Sequence, residues 1–204
     1  MFKILDMFCG IGGSSMGLFQ ACKDNNINAS IIGVDIFDMP DYQFKFIKDD
    51  IFNYIEYTDL NSFNFIWASP PCQRYSVCKN IKDLTMYGDF CVDIHNILES
   101  SGIPYVIENV PQAPIRKDLL LCGEMFNMRI IRHRIFELGT FKIEQPIHKK
   151  HKPKGYYTTV AGHMAGIRKY KEVMEIDWSN NWKQLAEAVP PRYARFILNK
   201  YFGR

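Results

Sequence analysis

Short apolar runs, each closed by a turn or a charged residue, constrain the architecture of this chain more than any other feature. Residues 3–7 read as a strand that runs into the turn Gly10-Ile11-Gly12-Gly13. Residues 14–23 then have helical spacing, with Ser14 or Ser15 as the expected N-cap. Further apolar strands are predicted over 30–36, 44–47, 64–68 and 104–107, the last ended by Glu108-Asn109, and a long helix over 83–100. Strands alternating with helices predict an α/β chain: a Rossmann-like, doubly wound, mostly parallel sheet. In such a sheet ligands bind outside the carboxyl ends of the strands.

The pattern changes after about residue 110. A strand is expected within 129–138 and another over 156–161, with basic loop between them. Helices are expected over 168–174, 182–188 and 191–201, the last begun by Pro191, whose fixed φ suits a first helical position. No internal repeat or low-complexity linker breaks the chain. One domain over 1–204 is the expectation, with a small basic appendage at 139–160. A length of 204 residues, 47% of them hydrophobic, is enough to build a core. No apolar stretch is long enough to span a bilayer, and the charged start lacks a signal-peptide core, so no membrane association and a cytoplasmic location are expected.

Cysteines stand at 9, 22, 72, 78, 91 and 122. They form no CxxC pair and no zinc-finger spacing with histidine, so free thiols and no metal are expected. The net charge of +3 is a weak argument for a polyanionic partner. Its distribution says more: Lys142, Lys149, Lys150, Lys152 and Lys154 surround His148 and His151, opposed only by Glu144. That stretch reads either as a phosphate-contacting patch or as a solvated loop.

The strand ends carry the chemistry. A glycine turn after the first strand lets the backbone approach a ligand, and the helix that follows favours negative charge at its N-terminus. Asp35 ends the second strand, where an acid commonly binds ribose hydroxyls. Asp50 follows the third and can accept from an adenine amino group. The turn lacks full GxGxxG spacing, which favours S-adenosylmethionine over a dinucleotide. After the fourth strand, Pro70-Pro71 stiffens the loop that carries Cys72, so the thiol is either an oriented nucleophile or a packed loop cysteine.

Taken together and in order, these residues resemble the DNA (cytosine-5-)-methyltransferase family. Asp6-Met7-Phe8-Cys9-Gly10-Ile11-Gly12-Gly13 is similar to its first cofactor motif, and Asp35 and Asp50-Ile51 to the next two. Ser69-Pro70-Pro71-Cys72-Gln73-Arg74-Tyr75-Ser76 resembles the catalytic motif. Glu108-Asn109-Val110 and Arg132-His133-Arg134 resemble the two that follow, and Ala188-Val189-Pro190-Pro191 the last. The short form is similar to methyltransferases carried by phages. It departs from the family at Ile130, normally glutamine, at Ala186-Glu187, normally Gly-Asn, and in the brevity of the region available for target recognition.

The resemblance implies the S-adenosylmethionine-dependent methyltransferase fold and methyl transfer to carbon-5 of cytosine in DNA, by a covalent Cys72 adduct and base flipping. It implies a cofactor site of Phe8, Gly10, Gly12, Gly13, Asp35, Ile36, Asp50, Ile51 and Pro70, with Phe8 against the adenine. It places Cys72, Glu108, Arg132 and Arg134 in catalysis and Pro71, Gln73, Ser76 and Asn109 at the substrate. A restriction-modification setting and a second chain for target recognition go with it. The same chemistry on RNA or a nucleotide, or a catalytically silent binding protein, are the alternatives. The residues themselves leave open which arginine faces the base.

Overall fold

The computed structural model describes residues 1–71, 90–148, 150–153, 155–160 and 166–203. Among the described residues, seven strands form a single sheet: β1 (Phe2–Met7), β2 (Ala29–Asp35), β3 (Lys45–Lys48), β4 (Phe65–Ala68), β5 (Tyr105–Asn109), β6 (Leu119–Leu121) and β7 (Arg134–Gly139). Their order is β3-β2-β1-β4-β5-β7-β6. The first five pair in parallel, and β7 lies antiparallel between β5 and β6. The α/β, mostly parallel sheet expected from the sequence is therefore present.

Strand alternation divides the core into two layers. Ile4, Trp67, Val106 and Phe136 face one side, where they pack with Leu18 and Ile197. Those two partners come from α1 (Gly13–Asp24) and α6 (Pro191–Tyr201). Leu5, Ile66, Ile107 and Ile135 face the other side with Ile51 and Leu98, which come from α2 (Ile51–Tyr57) and α3 (Phe90–Ser101). Two further helices, α4 (Ile167–Met174) and α5 (Trp182–Glu187), add Tyr170, Val173 and Leu185 to the first layer. No helix among the described residues is long and apolar enough to cross a membrane.

Several expectations need correction. α1 starts one residue early, on a left-handed Gly12 cap with φ of 80°, because the Ser14 and Ser15 hydroxyls are drawn to Asp6 instead of capping. Residues 156–160 form no strand: Thr158 N–H donates to the Arg129 carbonyl and Arg129 Nε to the Tyr156 carbonyl, and no ladder follows among the described residues. β5 runs on through Glu108 and Asn109 rather than ending before them. The strand β6 and the helix α2 were not expected. Residues 83–89, the start of the expected long helix, lie outside the described residues.

After β7 the chain runs without helix or strand among the described residues up to α4, and it is fastened to the sheet edge by side chains. The Leu120 N–H donates to Gln145 Oε1 at 2.8 Å, and Gln145 Nε2 donates back to the Leu120 carbonyl at 2.8 Å. One amide thus occupies both polar groups of an edge-strand residue, which would otherwise be open to pairing.

Candidate active site at the carboxyl edge of the sheet

Because β1 to β5 are parallel, their carboxyl ends share one edge. There Phe8 adopts φ of 58°, Gly10 49° and Gly12 80°, so alternate residues of the turn after β1 are left-handed. Asp35 at the tip of β2 holds this turn. Its Oδ2 accepts from Gly10 N at 2.9 Å and its Oδ1 from Phe37 N at 3.0 Å. Burial raises the Asp35 pKa, while the backbone donors oppose that rise. Asp50 caps α2, its Oδ1 accepting from Phe52 N at 2.8 Å, and Ile51 is buried behind it. Ile36 is 55% exposed at the same edge, and half-buried Phe8 stacks on Phe90 with centroids 6.4 Å apart.

The two remaining glycines of the turn serve packing. A Cβ on Gly13 would lie 2.1 Å from the Val189 carbonyl oxygen, and one on Gly12 2.8 Å from the Tyr42 ring. A Cβ on Gly10 would meet nothing within 4 Å. The turn therefore presses the C-terminal segment on one side and leaves open space at Gly10.

Sequence reasoning quoted Asp6 within a motif and gave it no role. It is 0% exposed. Ser14 Oγ donates to its Oδ2 at 2.6 Å, Ser15 Oγ donates to the same oxygen, and Ser15 Oγ also meets the Tyr42 hydroxyl. Oδ1 has no hydrogen-bond partner among the described residues. Burial, only partly offset by the two hydroxyls, pushes the Asp6 pKa from 3.8 up to about 7. An acid within an apolar strand was the available signal.

Glu108 and Arg134 meet at the ends of β5 and β7. Glu108 is opposite Phe136 in the register, so it shares a face with Trp67 rather than with Glu137. Arg134 Nε donates to Glu108 Oε1 at 2.7 Å, both side chains being largely buried. Trp67 Nε1 donates to Ser69 Oγ at 2.9 Å, and Ser69 in turn hydrogen-bonds Glu108. Loss of hydration raises the Glu108 pKa; the charges of Arg134 and Arg132 and the Ser69 hydroxyl pull it back without cancelling the rise.

Arg132 does a different job. Its Nη2 donates to the carbonyls of Ala186 at 2.7 Å and Ala188 at 3.0 Å, while its own carbonyl accepts from the Tyr193 hydroxyl at 2.7 Å. It ties the strand entering β7 to the segment that leads into α6. Asn109 is buried, and its Nδ2 donates to the Pro70 carbonyl at 3.0 Å and to Cys91 Sγ at 3.3 Å. It therefore fixes the start of the Pro70-Pro71 turn, in which Pro70 is buried and Pro71 half-buried.

The structure thus gathers Asp6, Phe8, Gly10, Asp35, Pro70, Glu108, Asn109 and Arg134 along one edge. Cys72, Gln73 and Ser76 lie outside the described residues. A shallow hollow of about 450 Å³ between α2 and α3 is lined by Phe52, Asp93, Asn96 and Ile97, and none of the edge acids lines it. His95 pairs with the buried Glu137 at 2.6 Å, on the sheet face opposite Glu108.

Comparison with known proteins follows the same residues. A family model described as C-5 cytosine-specific DNA methylase matches residues 2–119, a stretch that holds the glycine turn, Asp35, Asp50, Pro70 to Cys72 and Glu108-Asn109. The Type II methyltransferase M.HgiCI of Herpetosiphon aurantiacus is 28% identical over 115 residues, 54% of this chain. The match spans only 27% of that relative's length. A solved structure of the Entamoeba histolytica methyltransferase EhMeth shares the fold, with a TM-score of 0.61 at 14% identity, over 100% of this chain and 99% of that one. With the matched stretch covering more than half its length, the chain belongs to the C-5 cytosine-specific DNA methylase family.

Proposed function

We propose that the chain transfers the methyl group of S-adenosylmethionine to carbon-5 of cytosine in DNA, with Cys72 as nucleophile. The observation that carries this reading is the buried Glu108–Arg134 pair, set beside the Pro70-Pro71 turn that leads into Cys72.

The residues at the edge fit the cofactor. Asp6 Oδ1 is a buried acceptor with no partner among the described residues, suited to a cationic amino group. The open side of Gly10 gives room for close approach. Asp35 keeps lone pairs beyond its two backbone contacts for ribose hydroxyls, and Ile36, Phe37 and Phe8 offer apolar surface for a purine. When bound, S-adenosylmethionine supplies an electrophilic methyl group. Asp50 is committed to its helix cap through Oδ1 and has Oδ2 left for an exocyclic amine.

Carbon-5 of cytosine is a poor nucleophile until the ring loses aromaticity. Addition of the Cys72 thiolate to carbon-6 achieves this and drives electron density toward ring nitrogen 3. Glu108, its pKa raised by burial, is suited to hold a proton there and to hydrogen-bond the exocyclic amine. Arg134 sits against Glu108, which supports it as the arginine that stabilises charge on the ring; Arg132 holds the segment that leads into α6. Removal of the carbon-5 proton by a water or weak base, with departure of the thiolate, restores the ring. The target atom is stacked inside a duplex, so the base must be flipped out. Protection of DNA in a restriction-modification setting is the role this proposal favours, given the name of the matched relative.

The test is a duplex containing 5-fluorocytosine, incubated with cofactor and protein. Fluorine cannot leave as a proton does, so the adduct should persist and mass spectrometry should place it on Cys72. Cys72→Ser should give none. Absence of an adduct from the cofactor-loaded wild type would overturn the proposal, and an adduct with RNA or a free nucleotide alone would move the substrate.

A further inference from the structure

Four side chains that the methyl-transfer reading does not use converge at the base of the appendage. The β6–β7 register pairs Leu121 with Arg134. Cys122, one residue beyond the first, therefore lies across from His133, one residue before the second. His148 and His151 reach the same point from the loop after β7. One ligating atom from each of the four lies within 4.8 Å of all the others.

The contact pattern is not that of a hydrogen-bonded cluster. His148 Nε2 lies 3.2 Å from His133 Nε2 and 3.2 Å from His151 Nε2, and His151 Nε2 lies 3.6 Å from Cys122 Sγ. An imidazole nitrogen has one in-plane site, either a proton or a lone pair, so His148 Nε2 can satisfy one of its two contacts by hydrogen bonding and not both. A cation at the centre satisfies all four. With zinc–nitrogen bonds of about 2.0–2.1 Å and a zinc–sulfur bond of about 2.3 Å, the edges of a tetrahedron are about 3.3 Å for N···N and about 3.6 Å for N···S. These three separations match both kinds of edge, and the remaining pairs lie within 4.8 Å.

We propose that Cys122, His133, His148 and His151 form a closed, structural Cys-His₃ zinc site that fastens the basic appendage to the sheet. Thiolate with imidazole selects zinc over magnesium or calcium. Four protein ligands leave no open position for catalysis. Glu124 stands beside the site, with Oε2 at 3.8 Å from His151 Nε2, and its charge together with that of the thiolate balances a divalent ion. The linear spacing, Cys-x₁₀-His-x₁₄-His-x₂-His, matches no familiar finger because strand pairing, not a short loop, brings the first two ligands together. The expectation of no metal follows from the lack of a CxxC pair and of finger spacing, neither of which covers ligands gathered by strand pairing.

The site also bears on the edge described above. His133 precedes Arg134, whose Nη1 donates to the His133 carbonyl at 2.9 Å. Holding His133 therefore helps to hold the partner of Glu108.

Metal content tests this independently of methyl transfer. Untagged full-length chain, dialysed against micromolar zinc and then metal-free buffer, should retain about one zinc per chain. The cobalt-substituted protein should show the strong visible bands of a tetrahedral ion and a near-ultraviolet thiolate-to-cobalt band. Cys122 is buried, so Cys122→Ser puts the fold itself at risk, and His151→Ala, in the loop, is the primary variant. It should lose at least nine-tenths of the bound metal while keeping the circular dichroism of the wild type. Zinc below a tenth of an equivalent in the wild type, a pale six-coordinate cobalt spectrum, or full retention by His151→Ala would each overturn the proposal.

Discussion

At Glu108 two opposing influences act on one carboxyl group: burial favours the neutral form, and Arg134 favours the anion. Glu108→Gln keeps the shape and the hydrogen-bonding capacity but cannot hold or release a proton at that position. Methyl transfer is expected to fall by about 10²–10⁴-fold, the usual weight of a general acid, with the chain still folded by circular dichroism. Asp6 makes a claim about stability instead. Its pKa is raised from 3.8 to about 7, so the unfolded chain releases this proton at lower pH than the folded chain does. Its contribution to stability is fully present below about pH 4 and is lost as pH rises through about 7, a loss of about 4 kcal/mol in the apoprotein. Asp6→Asn should flatten the fall in denaturant midpoint between pH 5 and pH 8, and an unchanged slope would show that Asp6 titrates normally. The two carboxyls were not equally legible. Glu108 carries a role from its motif, whereas Asp6, a motif residue and an acid in an apolar strand, takes on a role only when three dimensions show Ser14 and Ser15 turned toward it.

At the scale of elements, α1 and α6 approach so closely that glycine is required between them. A Cβ on Gly17 would lie 2.0 Å from the Pro191 carbonyl oxygen, and one on Gly13 2.1 Å from that of Val189. Both obstacles are backbone, so neither can rotate away. Gly17→Ala is expected to cost about 3 kcal/mol, at the upper end of ordinary overpacking, read as a shift of urea midpoint at constant slope. Gly10→Ala contrasts with it. No atom stands in its way, and the left-handed φ of 49° costs about 1–2 kcal/mol, but the added methyl enters the space proposed for the cofactor. Cofactor affinity should fall more than stability, and equilibrium dialysis beside a melting curve separates the two. The sequence announced α6 to the residue, through Pro191 and an apolar face, and it announced the parallel strands through their apolar runs. It did not announce β6: three leucines at 119–121 are too short a run to read as a strand until β7 lies beside them.

At the scale of the whole molecule, the appendage was legible as charge but not as structure. Its lysines are visible in any reading of 142–154, yet what holds the segment down is Gln145 on Leu120 and the histidines against Cys122, none of which has a sequence signature. This bears on DNA binding. The His148 and His151 rings are turned inward on His133, leaving lysines as the candidates for phosphate contact. Lys142, Lys150 and Lys152 are exposed, and Lys152 Nζ rests 4.1 Å from the centre of the Tyr156 ring, which keeps that charge at the surface. Each lysine that neutralises a duplex phosphate releases condensed counterion and adds about 0.9 to the slope of log affinity against log salt. Replacing all three by glutamine should therefore lower the slope by about 2–3 if all contact phosphate. Affinity should fall to a similar extent for every duplex sequence, because phosphate contacts position the protein without reading bases. Fluorescence anisotropy over a salt series measures both quantities. An unchanged slope would remove the appendage from the DNA interface, and a loss confined to one sequence would make it a reader of bases rather than an electrostatic hold.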